Sequence, residues 1–141
     1  MPRDLVKIDL DKLKAYIIQK LSSFDEIAGV YLFGSSLDLM RPDSDIDIGI
    51  IFYDFVDEEK AEDIIETLYL KLLNFEGHPF DIRSVNHSNT IIAFNILRNG
   101  LPVLVKDEDA VTDLIEKVSL KYKEVYPQYK RAVEMILEGL K

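Results

Sequence analysis

Residues 32–51 decide the fold, and they read LFGSSLDLMRPDSDIDIGII. An apolar run ends at Gly34-Ser35, a polar loop follows, and an isoleucine-rich run then carries Asp45 and Asp47. Side chains of a β-strand alternate between its two faces, so these two carboxylates project to the same side. The surrounding isoleucines predict a buried strand, at whose edge the two like charges repel each other and are costly to desolvate.

The paired carboxylates predict a metal site. A divalent cation is the usual compensation for such repulsion, and hard carboxylate oxygens suit Mg²⁺, which takes one or two carboxylates together with substrate phosphates. Asp81, between Phe80 and Ile82, is the third acid that a two-metal site requires if its strand is a neighbour of the first. Spacing alone does not show that it is, and each acid has a plainer interpretation as an exposed charge at a strand end or edge.

The Gly34-Ser35 step predicts a phosphate-binding turn. Gly34 lets the backbone approach a phosphate closely, and Ser35 supplies a hydroxyl and an amide donor. The order of these features suits a nucleoside triphosphate with its metals. A strand ends at Gly-Ser, a short loop follows, and Ser-Asp-x-Asp comes directly after it. Ser44 is either a ligand in that arrangement or a residue that hydrogen-bonds the loop, and the plainer interpretation of Gly34 and Ser35 is an ordinary turn.

This order of residues resembles the signature of the DNA polymerase beta-like nucleotidyltransferase superfamily, and in particular its minimal nucleotidyltransferases, the MNT proteins. The resemblance covers about residues 28–105. It implies a nucleotidyltransferase fold, ATP as substrate and two Mg²⁺ ions. In the family the Gly-Ser opens the phosphate-binding turn, which maps to Gly34 and Ser35, and the catalytic, metal-binding acids map to Asp45, Asp47 and Asp81. By their chemistry and position, Asp81 is also the candidate general base and Ser44 a further candidate ligand of the nucleotide.

A second resemblance concerns the partner. Residues 95–105, with Asn99-Gly100, resemble the segment after the third acid in MNT proteins that are encoded beside HEPN partners. Such MNT proteins are antitoxins of a HEPN ribonuclease toxin, and some transfer AMP from ATP to a tyrosine of the toxin. The resemblance therefore implies an antitoxin that binds a HEPN-domain toxin in a hetero-oligomer and takes the toxin's tyrosine as acceptor.

Two alternatives remain open at this stage. The family's loop commonly has a second glycine, but here it reads Leu37-Asp38-Leu39, which fits a non-catalytic module that blocks its partner sterically. A stand-alone small-molecule nucleotidyltransferase is the other alternative. It is disfavoured because a chain of this size leaves little room for a dedicated acceptor pocket.

Composition narrows the class of protein. The 141 residues are expected to form one nucleotidyltransferase domain, with its core at about 28–105 and a C-terminal helical extension at 107–141. With 26 acidic and 17 basic residues the net charge is −9, which disfavours direct binding of nucleic acid or of an anionic membrane surface. The chain has no cysteine and no apolar run near the roughly 20 residues that span a bilayer, so a cytoplasmic protein is expected.

Hydrophobic periodicity predicts the order of helices and strands. The predicted helices are 9–24, 57–75, 88–99, 107–125 and 128–140, and the predicted strands are 29–33, 45–53, 79–85 and 101–105. Residues 37–44 are predicted to form a loop. This order predicts a small α/β (α+β) domain in which a mixed β-sheet is flanked by helices, with C-terminal helices at its end.

Four residues at element ends carry separate expectations. Gly77 is expected to end the second helix as a left-handed cap, and Pro127 to interrupt or kink the last helical stretch. His78 and His87 have no second His or Cys at ligand spacing, so both are expected at the surface.

Four further side chains carry expectations of their own. Arg83 lies two residues after the third acid and contacts either a phosphate or a carboxylate. Helical spacing predicts core or helix–helix packing, rather than ligand recognition, for Tyr122, Tyr126 and Tyr129.

Overall fold

A computed structural model describes residues 6–37, 41 and 43–140, with only the backbone of Ser35 and Ser36. The helices are α1 (Leu10–Leu21), α2 (Glu58–Leu72), α3 (Thr90–Asn99) and α4 (Glu108–Gly139), and a short 3₁₀ helix spans Gly34–Leu37. The strands are β1 (Ile27–Phe33), β2 (Ile46–Phe52), β3 (Asn74–Phe75), β4 (His78–Ser84) and β5 (Leu101–Val105).

The five strands form one mixed sheet in the order β3-β4-β2-β1-β5. The central strand β2 runs antiparallel to β1 and parallel to β4. Because parallel neighbours need a crossover connection, α2 joins β2 to β4. This architecture confirms the predicted α/β (α+β) class with a mixed sheet flanked by helices.

The sheet is covered on both faces, which explains the isoleucine run in β2. One core packs α1 and α2 on the sheet, with Leu13, Ile17, Ile48, Ile50 and Leu68 fully buried. The second core packs α3 and α4 on the other face. Burying an aliphatic side chain of this size contributes roughly 1.5–3 kcal/mol, so β2 anchors both layers.

Each helix begins at a polar residue that accepts hydrogen bonds from the first turn. The N-cap side chains are Asp9 for α1, Asp57 for α2, Asn89 for α3 and Asp107 for α4. Such caps satisfy backbone N–H groups that have no partner within the helix.

The predicted end of the second helix is wrong. The helix ends at Leu72, Leu73 adopts a φ of 55°, and the next two residues pair with β4 as strand β3. Glu76 and Gly77 have φ values of 51° and 83° and form the tight turn of this hairpin. Two central residues with positive φ are typical of two-residue hairpin turns, so Gly77 serves a turn rather than a helix cap.

The two predicted C-terminal helices are one helix of 32 residues, and the predicted interruption at Pro127 is absent. Proline removes one backbone donor, which deprives the carbonyl of Lys123 of its helical partner. Both residues are exposed, so the unpaired carbonyl is open to solvent and the missing bond costs little. The described part of the chain includes no helix with the length and apolar character needed to cross a membrane.

Three tyrosines of α4, namely Tyr122, Tyr126 and Tyr129, lie in two different environments. Tyr122 stacks on Phe94 of α3 with ring centroids 3.7 Å apart, as predicted for helix–helix packing. Tyr126 and Tyr129 follow it along α4 and are 39% and 46% exposed, so neither lies in the core of the described chain. The stacked ring contact between α3 and α4 is therefore made by Tyr122, and the later tyrosines are more exposed.

The hairpin turn generates a stability prediction. Gly77→Ala adds no steric contact but must place an L-residue at a φ of 83°, so we expect the free energy of unfolding to fall by about 1 kcal/mol. The matched control is Gly139→Ala in the last turn of α4, which also meets open space and should be neutral or slightly stabilising. Urea unfolding measures both, and equal stabilities would contradict the role given to the turn.

Candidate active site at the start of strand β2

Asp47 and Asp81 lie side by side on neighbouring parallel strands. The register of β2 and β4 pairs Asp47 with Asp81, Ile46 with Phe80 and Ile48 with Ile82. The condition that the sequence left open, adjacency of the two strands, is therefore met. The two acids also share the sheet face that α3 covers, because residues of equal register point the same way.

Asp45 completes the acidic group from outside the strand. It directly precedes β2, is exposed, and its charge acts on Asp47 two residues later. An open depression of about 400 Å³ adjoins this point and is lined by Arg41, Asp43, Ser44, Asp45 and Asp47. The structure thus brings the paired acids together with a cation, Arg41, that sequence reasoning did not single out.

The electrostatics of Asp47 reflect this crowding. Burial, followed by the charges of Asp81 and Asp45, raises its pKa from the ordinary 3.8 to about 6. The positive charge of Arg83 opposes the shift, and a hydrogen bond between the carboxyl groups of Asp47 and Asp81 adds to it. Asp47 therefore keeps its proton at a pH at which isolated carboxyls are already ionised.

Gly34 lies against the Asp47 carboxylate. Its φ is +73°, and a Cβ built on it would overlap the Asp47 Oδ2 atom. Glycine is therefore required here for both conformation and space, while its approach to a phosphate stays a prediction. Ser35 follows in the 3₁₀ helix; its side chain, and the residues Asp38 and Leu39 of the altered loop, lie outside the described residues.

Ser44 is held by its backbone. Its N–H donates to the carbonyl of Arg41 at 3.0 Å, and His78 Nδ1 donates to the carbonyl of Ser44 at 2.9 Å. His78 is only 5% exposed, so the prediction of a surface histidine is wrong for this residue. Its burial arises from the loop that packs over the start of β4, a contact between residues 34 positions apart that no local pattern reveals.

Arg83 and His87 follow the third acid along the chain. His87 is half-buried, with Nδ1 2.7 Å from the Ser84 hydroxyl, so its predicted surface position holds only in part. Arg83 is exposed and, with Ser84 and His87, lines a small cleft beside α2.

The acidic group fits a magnesium ion that is shared with a substrate. Within the described ranges, no three His, Asp or Glu side chains come close enough to enclose a metal by themselves. Mg²⁺ sites in enzymes, however, use one or two carboxylates and fill the other positions with water and phosphate oxygens. The charges of Asp81 and Asp45 raise the pKa of Asp47, and a cation bound at this position would relieve the same repulsion.

Comparisons with known proteins agree with this geometry. A family model described as polymerase beta, nucleotidyltransferase matches residues 15–109. No curated protein sequence matches the chain significantly.

Three solved structures share the fold. A complex of tri-AMPylated Shewanella oneidensis HEPN toxin with MNT antitoxin matches with a TM-score of 0.65 and 16% identity, covering 90% of this chain and 98% of that one. The toxin–antitoxin MntA–HepT matches with 0.64 and 15%, covering 90% and 98%. A toxin–antitoxin with AMP-PNP matches with 0.63 and 14%, covering 92% and 99%.

The raised pKa of Asp47 generates a prediction about stability and pH. The folded state binds the Asp47 proton more tightly than the unfolded state does. The resulting contribution to the free energy of unfolding is present below about pH 4 and is lost as the pH rises to about 6. Asp47→Asn removes the penalty, and after a discount for solvent screening we expect it to stabilise the protein at pH 7.5 by on the order of 1 kcal/mol. At pH 4 the variant and the wild type should be equal.

Urea unfolding in EDTA at both pH values measures this difference. The control is Asp25→Asn, an exposed acid before β1 at the opposite end of that strand, which should change stability at neither pH. A variant that is less stable than the wild type at pH 7.5 would contradict the electrostatic account.

Proposed function

Because the chain belongs to the polymerase beta nucleotidyltransferase family, we propose that it is a metal-dependent enzyme that transfers AMP from ATP to a tyrosine hydroxyl of a HEPN-domain toxin. It thereby acts as the antitoxin of that toxin. The observation that carries the proposal is the contact of Gly34 with Asp47, directly beside Asp81 in the parallel register. A turn without a Cβ against paired carboxylates suits a triphosphate and its metal.

The proposed reaction is one displacement at phosphorus. The tyrosine oxygen attacks the α-phosphorus of ATP, the bond from that phosphorus to the oxygen bridging the β-phosphate breaks, and pyrophosphate leaves. The carboxylate of Asp81 accepts the hydroxyl proton. Asp45, Asp47 and Asp81 would hold the Mg²⁺ ions, and bound metal would offset negative charge on the triphosphate and lower the pKa of the attacking hydroxyl. Gly34, Ser35 and Ser44 bind the nucleotide.

An exposed apolar stripe on α4 supports the proposal of a helical protein partner. Tyr126, Tyr129, Val133, Ile136 and Leu140 recur at spacings of three and four and form one stripe, which we call the α4 seam. Ile136 and Leu140 are 65% and 77% exposed. A repeat of 3.5 residues is the pattern by which one helix packs on another, so the seam suits a helical protein such as a HEPN domain.

Charge and the structural relatives point the same way. The net charge of −9 suits electrostatic attraction to a more basic protein rather than to RNA. One structural relative is an MNT antitoxin in complex with an AMPylated HEPN toxin, and another is a toxin–antitoxin with AMP-PNP. In the proposed function, RNA enters only through the toxin that this protein restrains, and ATP supplied by the cytoplasm is the AMP donor.

Removal of charge from the acidic group tests the proposed catalysis. The double variant Asp45→Asn/Asp47→Asn should lose at least 100-fold in transfer of labelled AMP from ATP to the HEPN partner, because it removes charge that holds metal at the reacting phosphate. The matched control is Asp25→Asn/Asp54→Asn, two exposed acids at the opposite ends of β1 and β2. It removes the same charge and should transfer at the wild-type rate.

Removal of metal is the second arm of that experiment. EDTA should abolish transfer by the wild type, and added Mg²⁺ should restore it. A wild type that binds and inhibits the toxin without transferring AMP would instead support the steric antitoxin. Undiminished transfer by Asp45→Asn/Asp47→Asn would refute the site assignment.

A charge introduced on the α4 seam tests whether this surface binds the partner. Ile136→Lys should weaken binding of the HEPN partner by at least 10-fold, because a charge replaces an apolar anchor at the helix interface. Met135→Lys is the matched control: Met135 is 68% exposed against 65% for Ile136, but it points about 100° away around the helix. Calorimetry on the purified pair measures both, and equal losses would contradict the seam.

A further inference from the structure

A cleft opens beside Gly34 on the sheet face that α3 covers. Its volume is about 410 Å³, within the range of small-molecule sites. The turn at the end of β1 forms one wall and α3 forms the other. The lining residues are Phe33, Gly34, Leu37, Ile92, Asn95, Ile96 and Asn99.

The α3 wall is a single stripe of the helix. Ile92, Asn95, Ile96 and Asn99 follow the spacing i, i+3, i+4, i+7, which places them on one face. Ile96 is 2% exposed at the base of the stripe, and the two asparagines are exposed on it. The cleft thus combines an apolar floor with two carboxamides on its rim.

The cleft adjoins the carboxylate site. Gly34 lines the cleft and also contacts Asp47. Gly49, two residues after Asp47 and on the same face, is overlaid by α3: a Cβ on it would lie 3.2 Å from Ile96 Cγ2 and 3.8 Å from Phe33 Cε1. A ligand with its phosphates at Gly34 and Asp47 therefore has this cleft within reach of its nucleoside.

We propose that the cleft binds the adenine base of the nucleotide and that Asn95 and Asn99 determine base preference. The proposal rests on the proposed function, since the same ligand carries its triphosphate to the carboxylates. Ile92, Ile96 and Phe33 cover the apolar faces of the ring, and the asparagine side chains meet its polar edge.

At the base edge that carries N7, hydrogen-bond chemistry favours adenine over guanine. A carboxamide offers one donor direction and one acceptor, which matches the N6 donor and N7 acceptor of adenine. Guanine presents two acceptors at O6 and N7 and is matched by Arg or Lys. The described residues that line the cleft include neither cation.

Binding of three ligands separates this inference from the proposed function. Calorimetry measures the affinity for ATP, GTP and inorganic tripolyphosphate, each with Mg²⁺. Tripolyphosphate reports the phosphate site alone, ATP against tripolyphosphate reports the contribution of the base, and ATP against GTP reports the base preference. The wild type should bind ATP at least 10-fold more tightly than GTP and tripolyphosphate. Asn95→Leu/Asn99→Leu should bind ATP about 10- to 100-fold more weakly, with unchanged affinity for tripolyphosphate.

Two further variants complete the test. Gln19→Leu, an exposed carboxamide on α1, is the matched control and should behave as the wild type. Asn99→Arg should shift preference toward GTP, because a guanidinium donates twice to the guanine edge.

The outcomes are distinct. If the wild type binds tripolyphosphate as tightly as ATP, or if Asn95→Leu/Asn99→Leu keeps the preference for ATP over GTP, the base site is refuted while the phosphate site stands. If the wild type binds none of the three ligands, the proposed function falls and the base site with it.

Discussion

The pairing of Asp47 with Asp81 on adjacent parallel strands is the constraint on which the rest of the structure depends. Two carboxylates on one sheet face repel each other, and only a fixed register keeps them together. A shift of one residue would turn one of them into the core on the other face. The buried isoleucines Ile46, Ile48 and Ile50, which alternate with this face, oppose any such shift because each would leave its core. The apolar layer under α1 and α2 thus maintains the charged arrangement above it.

The other face of β2 is built for close approach. Gly34 and Gly49 both lack the side chain that would collide, one with Asp47 and the other with Val85 at 2.8 Å. Gly100 lets the end of α3 come against β1, where a Cβ would lie 3.0 Å from the Leu32 carbonyl. These glycines bring the turn, the carboxylates and α3 to one place, which is why a cleft with an apolar floor lies beside a charged site.

Much of this site could be predicted from the sequence because its signals are local. The Asp-x-Asp spacing, the isoleucine alternation and the glycine at a strand end each act within a few residues, and the register then brought Asp81 beside Asp47. The predictions that were wrong concern residues whose structure depends on contacts with residues far away in the sequence. Residues 74–75 leave the helix to pair with β4, and His78 is buried by a loop 34 positions away. The cleft beside Gly34 was not visible either, since its walls come from separate elements.

The cleft beside Gly34 and the α4 seam are joined through α3, which bears on how the proposed protein acceptor would reach the proposed nucleotide. Ile92 lines the cleft beside Gly34 and also a second cleft, of about 830 Å³, between α3 and α4 that includes Tyr129 of the seam. Phe94 on the same helix stacks on Tyr122, which positions α4. A helical partner docked along the seam would therefore lie against α3 beside the nucleotide. In the proposed function, the partner would then complete the acceptor site, and the small chain would need no acceptor pocket of its own.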